Sequence, residues 1–342
     1  MKKLTMTCLA LLLCGVTVTA SAKESVSVSL FSWPGYGFWF IAREKNMVPE
    51  LELDISIIED PYDSFAMMSA GRLDVTSSTV EYGPIAASQG SPVKLVAYTN
   101  PSYGTDKIIV GPQVKEASDL VGKQVAVMEG GLSQIFMGIW LEDNGVAIDQ
   151  VKFVNLIMDD AVGALVGGTA AAGEYWEPFG SQVLANLKGA RVVASSLEPY
   201  WQEQALLGDG MYMSERFISQ RPEAAKLAMQ AYFAAVDFWK ENPAEANRII
   251  AGALRFPVAD VEAVIGATGE PHEGGIAVLD LPQAARLMGV LEGEPPLGLS
   301  NGQIRDHWAL TSEWWKKFGL ISDIQAPEAG IDFRPLTAVA GE

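Results

Sequence analysis

Strand-like segments alternate with helix-like segments from residue 26 onward, and this alternation restricts the fold more than any other feature. Val26, Val28 and Leu30 alternate with serines, a Pro-Gly turn follows, and residues 38–46 have helical character. Further units of the same kind lie at residues 53–70, 73–88 and 93–99. A βαβα order predicts a mostly parallel sheet with helices on both faces.

The alternation restarts near residue 122 and gives way to helices after residue 215. Strand-like segments lie at residues 122–127, 151–156, 173–176 and 190–195. Leu227, Ala231, Ala235 and Trp239 then recur at helical spacing. We therefore predict an α/β protein with a parallel-rich sheet in each of two lobes and a helical C-terminal region. Lobe 1 is expected to contain residues 23–106 and 209–342, and lobe 2 residues 107–208.

The N-terminal segment predicts export from the cytoplasm. Lys2 and Lys3 precede an apolar run, and the small residues Ala20, Ser21 and Ala22 end it. This order is typical of a secretory signal peptide cleaved after Ala22, with a periplasmic product. The apolar run is shorter than the roughly 20 residues of a spanning helix, so a membrane anchor is disfavoured.

The charge balance excludes several kinds of partner. The 342 residues include 42 Asp and Glu against 24 Lys and Arg, a formal net charge of −18. Nucleic acid and anionic membrane surfaces need basic patches, so neither is an expected partner. A small anionic ligand stays possible, because it responds mainly to its local site. We expect no membrane insertion.

Few residues offer catalytic or metal chemistry. Both cysteines, Cys8 and Cys14, lie in the predicted signal segment, and the chain has only two histidines, His272 and His307. No H-E-x-x-H, G-x-S-x-G or P-loop pattern occurs. His272 precedes Glu273 but has no second histidine at usable spacing. The sequence therefore predicts a non-enzyme without cofactor or metal.

Several motifs together resemble one family, the solute-binding proteins of nitrate, sulfonate and taurine ABC importers. The resemblance covers nearly the whole chain after residue 22, in the same order. The segments that carry it are residues 32–37, 41–45, 70–75, 119–127, 176–178, 222–224 and 242–246. Residues 168–173 depart from the family pattern, which usually has a second G-x-hydrophobic-Asp-Ala segment there.

The resemblance implies a two-lobed class II periplasmic binding protein. In this class the chain crosses twice between the lobes, the ligand lies in the cleft, and hinge closure presents the complex to an ABC permease with its ATPase subunits. By resemblance, a sulfonate or similar oxyanion is expected at residues 76–79 and 129–133.

Three segments join a strand end to a helix start, which is where α/β sheets bind ligands. They lie at residues 33–36, 76–79 and 129–133. Helix N-termini and hydroxyl groups favour anions, although serines there also serve as ordinary helix caps. The candidate binding residues from these segments are Trp33, Tyr36, Ser77, Ser78, Thr79, Glu129, Gly130 and Gly131.

Acidic and aromatic residues near the expected cleft bear on the ligand's charge. Asp106, Glu129, Glu177 and Asp209 fall there, and several buried carboxylates beside a purely anionic ligand are costly. A zwitterion such as taurine satisfies both hydroxyl donors and carboxylates, with Glu177 and Asp106 or Glu129 holding its amine. The alternative that these acidic side chains face solvent stays open. Trp33, Tyr36 and Trp176, and less strongly Tyr62 and Tyr82, are expected to line the pocket or surround a cation.

These observations favour a taurine-like or other aliphatic sulfonate as the solute. Three alternatives stay open: a cationic amine or guanidinium, a pyrimidine precursor, and an enzyme built on the same fold.

Overall fold

The computed structural model describes residues 23–204 and 207–341, and its strands form two five-stranded sheets. The predicted signal segment, residues 1–22, lies outside the described residues. The strands are β1 (Glu24–Leu30), β2 (Leu51–Ile57), β3 (Val75–Thr79), β4 (Val93–Pro101), β5 (Lys107–Val110), β6 (Gln124–Val127), β7 (Lys152–Asn155), β8 (Ala172–Tyr175), β9 (Arg191–Ser195) and β10 (Gly208–Ser214).

Helices connect these strands and follow the last of them. They are α1 (Phe38–Glu44), α2 (Pro61–Ser69), α3 (Tyr82–Ser88), α4 (Leu132–Asp143), α5 (Met158–Val166), α6 (Phe179–Asn186), α7 (Pro199–Gln204), α8 (Glu215–Gln220), α9 (Pro222–Glu241), α10 (Pro243–Leu254), α11 (Val258–Ile265), α12 (Leu281–Leu287), α13 (Ile304–Phe318), α14 (Pro327–Gly330) and α15 (Arg334–Ala340). No described helix is both long enough and apolar enough to span a bilayer.

The two sheets have the same internal plan. The first has the order β2-β1-β3-β10-β4 and the second β7-β6-β8-β5-β9. In the first, β10 is antiparallel to both of its neighbours, and in the second β5 is antiparallel to both of its own. Four strands of each sheet thus run in one direction, as the βαβα order predicts, and one strand is reversed.

The reversed strand in each sheet is the one that the chain enters after crossing from the other sheet. The chain leaves β4 at Pro101 and enters β5 at Lys107, and it leaves β9 at Ser195 and enters β10 at Gly208. We propose that the lobes divide within these two links, close to the boundaries predicted at residues 106 and 208. Residues 102 and 106 belong to the first of these links and therefore lie at the junction of the two sheets.

The C-terminal helices cover the first sheet. The apolar face of α9 buries Tyr232 and Trp239 against Phe38 and Trp39 of α1, with ring centroids 5.2–6.0 Å apart. Helical spacing brings these aromatic side chains onto one face, and their burial contributes about 1.5–3 kcal/mol for each large side chain. Trp308 and Trp315 on α13 are fully buried, so both belong to the packed interior.

Candidate functional site

A cavity of about 30 Å³ lies between the two sheets, at the ends of their strands. This space has room for about two water molecules in the ligand-free protein. Both sheets and one of the links contribute to its wall. The lining residues are Phe31, Trp33, Thr79, Tyr82 and Asp209 from the first sheet and its connections, Ser102 and Asp106 from the link, and Met128, Gly131, Leu132, Ser133 and Trp176 from the second.

Aromatic rings from both sheets form one side of this cavity. Phe31 and Trp33 follow β1, and their rings contact Tyr36 at centroid distances of 4.8 and 5.0 Å. Trp176 follows β8 and contacts Phe31 at 5.8 Å. The Trp33 ring lies directly over the turn, where a Cβ on Gly35 would come within 2.0 Å of it. Glycine at position 35 therefore allows Trp33 to line the cavity.

Asp209 provides one carboxyl group of the cavity. It lies on the reversed strand β10 and is only 5% exposed. The hydroxyl of Tyr36 donates a hydrogen bond of 2.5 Å to its Oδ1. Burial raises the pKa of Asp209 well above its ordinary value, the hydrogen bond from Tyr36 lowers it, and the charges of Asp106 and Glu81 raise it. Tyr36 is thus close to the predicted site but acts by orienting Asp209.

Asp106 provides the second carboxyl group, from the link between β4 and β5. Ser102 donates to its Oδ2, and the Ser102 and Ser196 hydroxyls lie 2.6 Å apart. The backbone N–H of Gly104 donates to the Ser196 oxygen at 2.8 Å. Burial raises the pKa of Asp106 from 3.8 to about 6, against the lowering effect of Ser102. The link holds Asp106 in place through hydroxyl groups, without a basic partner.

Glu174 on β8 lies behind Asp106 and is fully buried. Neither of its carboxyl oxygens has a partner with ordinary hydrogen-bond geometry. Burial, and then the charge of Asp106, raises the pKa of Glu174 well above its ordinary value, and Ser133 lowers it. The sequence interpretation missed Glu174, although a charged residue inside a strand-like segment was a signal that could have identified it.

Ser77 and Ser78, predicted as oxyanion donors, are not among the residues that line the cavity. The Ser77 hydroxyl accepts a hydrogen bond of 2.9 Å from the indole N–H of Trp39, inside the first lobe. The Ser78 hydroxyl is buried without a hydrogen-bond partner. Thr79 does line the cavity, and its Oγ1 accepts from the backbone N–H of Leu132 at 3.4 Å.

The start of α4, predicted as an anion site, uses its amide groups within the protein. The N–H of Gly130 donates to Gln134 Oε1 at 2.8 Å, and the N–H of Gln134 donates to the carbonyl of Gly131. The N–H of Leu132 is directed to Thr79, as described above. Gly131 lines the cavity, and Gly130 lies against Tyr62. Few free amide donors are left here for an oxyanion.

The other two predicted acids lie outside the cavity wall. Glu177 accepts a hydrogen bond of 2.8 Å from the ammonium of Lys107, as an ion pair. Burial raises the pKa of Glu177, but the hydrogen bond and charge of Lys107 outweigh this and lower it overall. Glu129 is exposed and lines a neighbouring groove with Asp60 and Asp160. This groove shares Tyr82 and Met128 with the cavity.

The structure thus brings together six of the twelve predicted residues in the cavity wall. These are Trp33, Thr79, Asp106, Gly131, Trp176 and Asp209. Sequence reasoning did not select Phe31, Ser102 or Met128, which also line it. Phe31 and Met128 end apolar strands, so they resemble ordinary core residues, and Ser102 carries no distinctive pattern.

Two lobes joined by two links, with a cavity between them, define a two-lobed binding-protein fold. The chain belongs to the NMT1/THI5 like family, whose model matches residues 33–246. The similarity to periplasmic solute-binding proteins predicted from the sequence is confirmed, and so is the class II fold.

Individual relatives are distant in sequence. A binding protein of Brucella abortus is 22% identical over 65% of this chain and 69% of its own length. The taurine-binding periplasmic protein of Escherichia coli is 25% identical over 53% of this chain and 57% of its own. The structure of the alkanesulfonate-binding protein SsuA from Xanthomonas axonopodis pv. citri bound to MOPS has a TM-score of 0.70 at 16% identity, and covers 91% of this chain and 99% of that one.

Proposed function

We propose that this protein is the solute-binding component of an ABC importer and works outside the cytoplasmic membrane. The observation that carries the proposal is the cavity at the junction of two lobes, to which both lobes and a link between them contribute side chains. Closure of two lobes on such a cavity encloses a small solute, and the closed surface is then available to a permease. The family and the binding-protein relatives support this role.

The export signal proposed for residues 1–22 supports the same location. The basic start, the apolar run and the small residues up to Ala22 form a complete signal pattern in the sequence. We propose that the mature protein begins at Lys23 and acts as a monomer. Its partners are then the permease and ATPase subunits of the importer.

A sulfonate solute, favoured by the sequence, has weak support from the cavity. Taurine and alkanesulfonates are named for two relatives, but 25% and 16% identity leave the binding residues of this chain free to differ. Ser77 bonds to Trp39, the first amides of α4 are used within the protein, and carboxyl groups line the cavity. A sulfonate beside these carboxyl groups is disfavoured by charge repulsion.

An enzyme on this fold is the competing function, and the two histidines do not favour it. His307 is fully buried, with its Nε2 2.9 Å from Glu81 Oε1, and His272 packs near Tyr103 on the other side of the link. Neither lines the cavity. We therefore propose binding without chemical change of the solute.

A library of anionic, zwitterionic, neutral and cationic metabolites tests this function. We expect one chemical class to raise the melting temperature of the mature protein, with 1:1 stoichiometry by calorimetry and a smaller radius of gyration in X-ray scattering. We also expect the added compound to be recovered chemically unchanged. The proposal would be contradicted if no class of compound raised the melting temperature of the protein. Chemical turnover of the bound compound would also contradict it.

A further inference from the structure

Carboxyl groups line the cavity without a compensating basic residue among the described lining side chains. Asp106 and Asp209 line it, and Glu174 lies buried behind Asp106. Within residues 23–204 and 207–341, no lysine, arginine or histidine is among the lining side chains. Burying carboxylates without a partner is costly, so the site is most stable when positive charge enters it.

The nearest ammonium group is already engaged elsewhere. Lys107 follows Asp106 directly, but its Nζ lies 2.8 Å from Glu177 Oε1 and 2.7 Å from the carbonyl oxygen of Gly104. Its charge lowers the pKa of Asp106 without forming an ion pair with it. No described basic side chain is therefore placed to pair with the two lining carboxyl groups, and a cationic solute can supply that partner.

The remaining wall suits an organic cation. Phe31, Trp33, Tyr82 and Trp176 present aromatic surfaces around the carboxyl groups. The faces of such rings attract ammonium and guanidinium groups, more strongly when water is excluded. The indole N–H groups of Trp33 and Trp176 are buried and have no hydrogen-bond partner within the protein.

We infer that the cavity binds a small organic cation with N–H donors, an alkylammonium or guanidinium group, held between Asp106 and Asp209 and covered by the rings of Trp33 and Trp176. This inference rests on the proposed solute-binding function and specifies its ligand class. One carboxyl group belongs to the link and the other to β10, and a cation with several N–H groups can donate hydrogen bonds to both.

A metal ion is a weaker occupant of this site. Among the described residues, no group of three or more His, Cys, Asp or Glu side chains is placed to hold a metal. Aromatic walls also contribute nothing to the oxygen coordination that hard cations require. The neighbouring groove with Asp60, Glu129 and Asp160 adds negative charge beside the cavity, which attracts any cation toward it.

Calorimetry with matched compounds on the mature wild-type protein tests the inference. Ethylammonium carries the amine alone, ethanesulfonate the sulfonate alone, and taurine both. Guanidinium at low millimolar concentration and tetramethylammonium, which has no N–H donor, complete the series. We expect ethylammonium or guanidinium to bind at least tenfold more tightly than tetramethylammonium and taurine, with no detectable binding of ethanesulfonate.

The possible results separate this inference from the proposed function. Tenfold tighter binding of taurine or ethanesulfonate than of ethylammonium would overturn the cation inference while leaving the solute-binding function intact. Absence of binding by every cation in the series would also overturn it, and the metabolite library then decides the function separately.

Substitutions locate the bound cation. We expect Asp209→Asn to weaken the binding of the best cation at least tenfold, and Trp33→Phe to weaken it threefold or more. Asp54→Asn makes the same chemical change at an exposed position on β2 and should leave the affinity within twofold. Circular dichroism and the melting temperature establish that each variant is folded. Unchanged affinity in a folded Asp209→Asn variant would contradict the proposed contact.

Discussion

At the scale of single residues, Asp106 connects stability with binding. Ionising a solvent-exposed aspartate costs little free energy, but Asp106 is only 4% exposed. The polar and charged groups that face it are Ser102, Lys107, Glu174, Glu81 and Asp209. Its pKa is raised to about 6, first by burial. Below about pH 6 the ligand-free protein therefore favours a protonated Asp106, whereas a bound cation favours the ionised form.

The raised pKa predicts how stability depends on pH. The folded state holds the Asp106 proton more tightly than the unfolded state, so this group stabilises the fold below pH 3.8 and loses that contribution as pH rises to about 6. An asparagine side chain at this position cannot ionise. We expect Asp106→Asn to gain about 2 kcal/mol relative to wild type between pH 4 and pH 8, from the size of the pKa change.

Urea unfolding of the ligand-free protein from pH 4 to pH 8 measures this effect. Asp54→Asn serves as the control, because Asp54 is exposed and the variant should show the same pH dependence as wild type. If the stability of Asp106→Asn and wild type changed in parallel with pH, Asp106 would not carry the raised pKa.

At the scale of elements, strand β3 contributes side chains both to internal packing and to the cavity wall. Ser77 bonds to Trp39 of α1, and Ser78, on the opposite face of the strand, is buried without a hydrogen-bond partner. Thr79 shares the face of Ser77 but ends the strand, where it reaches the cavity. The sequence predicted all three as ligand donors because serine and threonine at a strand end look alike. Of these three residues, only Thr79 lines the cavity.

The matched substitutions Ser77→Ala and Ser78→Ala separate these roles. Ser77→Ala leaves the buried indole N–H of Trp39 without an acceptor, and we expect a loss of about 1–3 kcal/mol in the free energy of unfolding. Ser78→Ala removes a hydroxyl that has no partner, and we expect a neutral or stabilising change. Both variants should keep the wild-type affinity for the solute. A tenfold loss of affinity in either would restore the predicted oxyanion site.

At the scale of the whole molecule, function depends on contacts between the two lobes. Tyr62 and Tyr82 of the first lobe lie against Gly130 and Gly131 of the second, where added Cβ atoms would come within 2.1 and 2.7 Å of the tyrosine hydroxyl oxygens. Thr79 contacts Leu132, and Phe31 contacts Trp176, also across the junction. These contacts close the cavity from the sides that the links leave open.

Gly131→Ala tests whether close approach of the lobes is needed for binding. The backbone of Gly131 has φ −102°, which any residue adopts, so the variant adds bulk without backbone strain. We expect its solute affinity to fall five- to tenfold, with a larger radius of gyration for the solute-saturated protein by X-ray scattering.

Gly163→Ala is the matched control for this experiment. Gly163 lies in α5, and no atom lies within 4 Å of an added Cβ. Its affinity should equal that of wild type, and a modest gain in stability is expected because alanine favours helix. Equal affinities of the Gly131 and Gly163 variants would show that contact at Gly131 is not required for binding.

The sequence by itself determined the architecture. Periodicities of two and 3.6 residues predicted the alternation of strands and helices, and the restart of that alternation predicted the second sheet. The helical spacing of Ala231, Ala235 and Trp239 predicted the packed face of α9. These features are local, because each depends on neighbours within one or two helical turns. The same local reasoning identified Trp33, Thr79 and Gly131 as candidates, since they lie where a strand end joins a helix start. Asp106, Trp176 and Asp209 were candidates because the family resemblance implied a cleft near them.

Only the tertiary structure decided what those residues do together. Whether Ser77 faces Trp39 or the cavity, whether Glu177 is paired with Lys107, and whether Glu174 lies behind Asp106 all depend on contacts between elements far apart in the chain. Burial converts these carboxyl groups from solvated charges into a site that needs a cation, because the cost of a buried charge depends on its whole surroundings. The sign of the ligand's charge is therefore a property of the fold rather than of any motif.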